Sequence, residues 1–134
     1  MPRAILFHFA AFAALIIAVT PAGLAAQERT AVVLQGLDKV TARISEFSAE
    51  IDAPVTFGTL EVTARACHKK PPEEPPESAA FLEIRERQEG APVELLFSGW
   101  MFASTPGLSA LQHPVYDVWV LDCVVLEENS ESNG

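Results

Sequence analysis

The chain is short of positive charge. Nine Lys and Arg stand against eighteen Asp and Glu, a formal net charge of −9 at pH 7. Nucleic acids and anionic lipid surfaces need a positive field for non-specific attraction, so this balance argues against a general nucleic-acid binder. Histidine is scarce too. Of the three, His8 sits in the apolar N-terminal run, leaving His68 and His113 for any imidazole chemistry. No phosphate-cradling glycine loop, H-E-x-x-H helix, calcium loop or G-x-S-x-G elbow occurs. The "FSGW" at 97–100 has one glycine beside Ser98 and lacks the frame that aims a nucleophile. Neither C-x-x-C nor C-x-x-C-H is present, so dithiol redox chemistry and haem attachment have no motif. No long stretch carries the period of an amphipathic helix.

What is present begins with an export signal. Arg3 precedes an apolar run from Ala4 to Thr20, and "PAGLAAQ" follows with a helix breaker and small residues. This three-part layout predicts a secretory signal peptide over 1–26, cut after Ala25 or Ala26, with small Gly23 and Ala25 at the positions a signal peptidase reads. The run is marginal in length for a spanning helix. The small-residue exit and polar "QERT" favour cleavage over a retained anchor, so no integral membrane segment is expected afterwards. No cysteine stands at the new N-terminus to take a lipid. The short basic start suits bacterial export, to the periplasm or beyond. A single domain is expected over 27–126, and the acidic "EENSESNG" at 127–134 should be disordered.

Both cysteines, Cys67 and Cys123, lie in the exported part. Two cysteines in an exported domain most often pair with each other. Closing a loop of that length contributes on the order of 4 kcal/mol by the chain-entropy account.

Alternation dominates the rest. In "KVTARISEF" Val40, Ala42 and Ile44 share one face, and the parity then shifts so that Phe47, Ala49 and Ile51 continue the apolar series. Such a shift marks a bulge or a turn between strands. "DAP" at 52–54 is a turn signal. Gly58 interrupts "VTFGTLEVTARAC" and predicts a bulge or tight bend. "AAFLEIRER" alternates, and "EGAP" at 89–92 turns the chain again. "VELLFSGWMF" is apolar on both faces, which predicts a central strand bent at Gly99; "VYDVWVLDCVVL" is the last strand. In "STPGLSALQHP", Thr105 and Pro106 suit a helix start and Leu108 and Leu111 a helical spacing, so a short helical turn is expected before Pro114. The sum is an all-β fold, a small β-sandwich or barrel of about six to eight short strands with one helical turn and one disulfide.

Two stretches hold the candidate site residues. The first is the proline loop at 68–78, in "CHKKPPEEPPES". Proline has no amide donor, so Pro71–Glu77 cannot join a ladder and should be extended, partly polyproline. Lys69, Lys70, Glu73, Glu74 and Glu77 there form a contact strip or a solvated edge. His68 beside Cys67 falls short of a metal site, because zinc needs three or four protein ligands and the thiol is taken by the disulfide. The second stretch is 98–119. Trp100 and Phe102 share a face, while Tyr116 and Trp119 differ in parity. These aromatics are either core or an exposed partner or glycan patch. His113 and Asp117 read either as an oriented general base or as a buttress for the loop before the last strand.

The strings "LDKVTARISEF", "FGTLEVTARACHKKPPEEPPESAAFLEI" and "FSGWMFASTPGLSALQHPVYDVWVLDC" resemble the bacterial family known as domain of unknown function 2155, found chiefly in alphaproteobacteria. The resemblance spans Val33 to Cys123. It implies an exported, disulfide-compatible domain with no established activity, and it carries over no catalytic residue. Both candidate stretches look like its signatures.

The expectation is therefore a non-catalytic binding or scaffold module of the cell envelope, without cofactor or metal. Its surface is the 98–119 region with the proline loop, and its partner an envelope protein or glycan. The alternative is a small envelope hydrolase using His113 and Asp117.

Overall fold

Residues 28–126 are described by a computed structural model. The expected leader over 1–26 and the acidic tail over 127–134 lie outside the described residues.

Seven strands form: β1 (Arg29–Asp38), β2 (Arg43–Glu50), β3 (Val55–Phe57), β4 (Leu60–Lys69), β5 (Ser78–Glu86), β6 (Glu94–Phe102) and β7 (Tyr116–Leu126). They build two sheets, one ordered β2-β1-β7 and one ordered β3-β4-β5-β6. Every paired strand runs antiparallel to its neighbour. The chain makes a hairpin, crosses to the second sheet, meanders through four strands and returns by the 103–115 connection. This is a β-sandwich, one of the two all-β architectures the alternation predicts.

The core lies between the sheets. Val32 and Leu34 of β1, Leu60, Val62 and Ala64 of β4, Ala80, Leu82 and Ile84 of β5, and Val118 and Val120 of β7 are buried. Each set alternates along its strand, as a half-buried pleat requires. Phe47, Phe57, Tyr116 and His113 extend the packing as a chain of rings at one end, with centroids 5.3, 5.4 and 5.2 Å apart. Two glycines make room for it. A Cβ on Gly36 would lie 2.5 Å from the Phe57 ring, and one on Gly58 2.4 Å from Tyr116. Gly58 also has φ of 58° in the β3–β4 turn, so the bend expected there is a tight hairpin.

At the opposite end the Cys67–Cys123 disulfide ties β4 to β7, and so one sheet to the other. Their Cα atoms are 5.8 Å apart across 56 residues of sequence.

Three local expectations are corrected. Val40 and Ala42 are turn, not strand. Asp38 Oδ1 accepts from the Val40 and Thr41 amides, Ala42 takes φ of 55°, and Val40 is 77% exposed. An Asx-type turn outcompetes the apolar alternation. Second, no helix forms among the described residues, so the helical turn before Pro114 is absent. Pro106 and Gly107 occupy a β-turn closed by Leu108 N–H to Thr105 C=O at 3.0 Å. Leu108 is 73% exposed, while Leu111 reaches the core alone. Third, β6 is an edge strand, not a central one. Its irregularity falls opposite Ile84 and Arg85, where Leu96 is the extra residue, rather than at Gly99.

Candidate functional site: a groove under the proline loop

The proline stretch is a closed loop. Lys70 N–H donates to Glu77 C=O at 2.9 Å across its base. Within it, Glu74 N–H donates to Pro71 C=O at 3.1 Å, placing Pro72 and Glu73 at the centre of a turn. The segment is thus not one continuous polyproline run. A fixed proline φ suits the second position of a β-turn as well as it suits polyproline, and here the closing hydrogen bond decides.

Glu77 clasps this loop to the start of the β6–β7 connection. Its Oε1 accepts from the amides of Ser78 at 3.0 Å and Ser104 at 3.1 Å, and its Oε2 accepts from the Ser104 hydroxyl. The Ser104 hydroxyl and amide hold the Glu77 carboxyl below its ordinary 4.5.

Asp122 is the second hub. Its Oδ1 meets Lys69 Nζ at 2.8 Å, the Ser78 hydroxyl at 3.2 Å and the Cys123 amide at 2.8 Å. Lys69 foremost, then the Cys123 amide, hold this carboxyl below its ordinary 3.8 against the opposing effect of burial.

Between these hubs lies a groove of about 900 Å³. Pro71, Pro72 and Pro76 of the loop, Ala103 and Ser104 of the connection, and Leu121 and Asp122 of β7 line it. Lys69, Lys70, Glu74 and Glu77 also line it. Glu73 sits in the turn beside Glu74.

The aromatics of 98–119 do not gather into one patch. Met101 is buried, so Trp100 and Phe102 alternate onto the outer face of the four-stranded sheet. Trp100 is 38% exposed, stacked on His68 at 5.7 Å and edge-on to Phe81 at 5.6 Å. Tyr116 faces inward, against Phe57 and His113. Trp119 alternates with buried Val118 and Val120, which puts it on the outer face of the other sheet.

His113 and Asp117 do not meet as a pair. His113 Nδ1 accepts from the amides of Val115 at 3.0 Å and Tyr116 at 3.1 Å, and Nε2 lies 2.6 Å from Glu86 Oε2. Its side chain is 8% exposed. Asp117 pairs instead with Lys39 at 2.9 Å, and the same Lys39 Nζ donates to His113 C=O at 2.8 Å. Among the described residues no cluster of three His, Cys, Asp or Glu side chains could hold a metal ion.

Reading the sequence placed Glu77 in the contact strip but missed its clasp, and it missed Ser78, Ser104 and Asp122. Each is an ordinary polar residue whose role depends on partners at least 26 residues away, or on a strand across the sandwich, and no short-range signal marks it. The proline loop before them was the available pointer.

Fold and groove together define a small disulfide-bonded β-sandwich with a clasped loop over one edge. The chain belongs to the family described as "uncharacterized protein conserved in bacteria" (DUF2155), which matches residues 32–123. It is also similar to an uncharacterized protein, RP359, of Rickettsia prowazekii (strain Madrid E), at 29% identity over 87 residues. That match covers 65% of this chain and 56% of the relative, so the similarity spans little more than half of the relative's length. No solved structure matches. Among the described residues no helix is long and apolar enough to cross a membrane.

Proposed function

We propose that this chain is a non-catalytic binding or scaffold module exported to the cell envelope, periplasmic in a bacterium, with the groove under the proline loop as its contact surface. The observation that carries the reading is the groove itself: both candidate stretches line it, and two carboxylate hubs keep it open. The disulfide is compatible with an oxidising compartment. The hydrolase alternative is less well supported. Nδ1 of His113 is occupied by two amides and Nε2 by Glu86, so neither nitrogen is free to take a proton from a nucleophile.

In-cell photo-crosslinking tests this. A photoreactive side chain at Glu74 or Trp100 of the exported protein should capture one and the same envelope component, identified by mass spectrometry. The same group at Glu89, in the distant β5–β6 turn, should not. Equal capture from all three positions, or none from any, ends the reading.

A further inference from the structure

Among the described residues, the edge of β7 beside the groove carries backbone groups without partners. β7 is the last strand in the order β2-β1-β7. The Cys123 amide donates to Asp122 Oδ1 at 2.8 Å, so it points away from β1. The register from Asp122 to Leu126 is unbroken, with Cys123 opposite Val32 and Val125 opposite Thr30. In an antiparallel pair, residues two apart direct both backbone groups to the same side. Val125 therefore presents its N–H and C=O to the free edge, as Cys123 presents its C=O. Thr30 agrees, since its carbonyl accepts from Ile51 on the far side of β1 at 3.1 Å. Among the described residues no backbone hydrogen bond from outside the ladder reaches Cys123 or Val125. Val125 is 56% exposed. An unpaired edge of this kind either needs protection or takes a strand. Asp122 protects one amide, and among the described residues no side chain or backbone group bonds to the Val125 amide.

The groove's charges are unevenly matched. Lys69 is neutralised by Asp122, and the charge of Lys70 acts on Glu77. Glu74 remains, with Glu73 beside it, and neither makes an ion pair among the described residues. The whole chain, at −9, adds a field of the same sign. The proline rings and Leu121 offer apolar walls along which an aliphatic stem can lie while its charged head reaches Glu74.

We infer that the groove and the β7 edge take an extended polypeptide segment bearing lysine or arginine. The segment pairs its backbone with Cys123 and Val125 as an added strand and lays a basic side chain along the proline wall toward Glu74. This deepens the binding reading above and rests on it. A glycan would use neither the strand edge nor a net negative rim in this way. Added strands gain affinity from main-chain hydrogen bonds and specificity from alternate side chains.

The test uses the oxidised full exported chain and three nonapeptides: one alternating Val and Lys, one alternating Val and Glu, and the Val–Lys peptide with alternate amides N-methylated. Binding is read by amide NMR shifts, with oligo-N-acetylglucosamine as the glycan probe. The Val–Lys peptide should bind saturably, shift Val125 and the loop amides, and slow exchange at Val125. Val125→Pro should abolish this binding, because that amide does not serve the β1 ladder and the fold survives, as a thermal melt will verify. Glu74→Lys, which breaks no contact in the structure, should weaken binding roughly three- to fivefold. Equal affinity for the methylated or the Val–Glu peptide overturns the inference, as does shift at the groove by the glycan alone. If no peptide binds while crosslinks from Glu74 still identify one partner, the peptide inference falls and the binding reading stands. If both fail, both are wrong.

Discussion

His113 keeps its side chain among backbone amides. With Nδ1 accepting from Val115 and Tyr116, the proton must sit on Nε2, which donates to Glu86. The ring then does for this loop what an Asp or Asn does in an Asx turn, and Tyr116 stacks on it. His113→Ala should cost about 1–3 kcal/mol, since two amides and a mostly buried carboxylate lose their partner. Asp117→Ala removes a partly exposed ion pair with Lys39 and should cost about 0–1 kcal/mol. Chemical denaturation midpoints distinguish them. Equal losses would mean that the two residues act as one unit after all. The histidine and aspartate four positions apart are legible in the sequence, but their partners are distant in it: Glu86 on β5 and Lys39 in the turn after β1.

Among the elements, β6 and β7 are apolar on both faces yet stand at sheet edges, and Leu95, Trp100 and Val125 stay exposed there. Leu111 plugs the core from the connection, and the outer aromatics of β6 pack sideways on His68 and Phe81. The proline loop is anchored by charge. In the folded state Glu77 and Asp122 titrate below their ordinary values, so the folded chain binds fewer protons than the unfolded chain in the acid range. Their contribution is complete above the ordinary carboxylate values and disappears as pH falls through the depressed ones. Acid titration followed by amide NMR should therefore show the loop and Ser104 losing their native shifts together in that window. Glu77→Gln should remove much of the pH dependence there. An unaltered acid profile in that variant would mean that the clasp does not form.

For the whole molecule, the disulfide is the covalent link between sheets. Its loop of 56 residues corresponds to about 4 kcal/mol of stabilisation by the chain-entropy account. For a single domain of this size that is a large share of the total. The double variant Cys67→Ser, Cys123→Ser should lose stability on that order, read from its denaturation midpoint. Alkylation of the untreated protein should find no free thiol, and two modified cysteines would refute the pairing.

The sequence by itself determined the fold class, because period-two alternation and turn residues are local properties of the chain. It also determined the cysteine pairing, because only two cysteines are available. Strand order was not legible. Apolar residues on both faces of "VELLFSGWMF" suggest a central strand, yet β6 stands at an edge with Leu95 and Trp100 partly exposed. Val40 and Leu108 fit apolar patterns, yet a turn bond at Asp38 and another at Thr105 place them in solvent. The tertiary structure alone decided the groove. Glu77 meets Ser104 only when β5 pairs with β6, and Lys69 meets Asp122 only when the two sheets close. Their hydrogen bonds depend on spatial approach, which no spacing along the chain encodes.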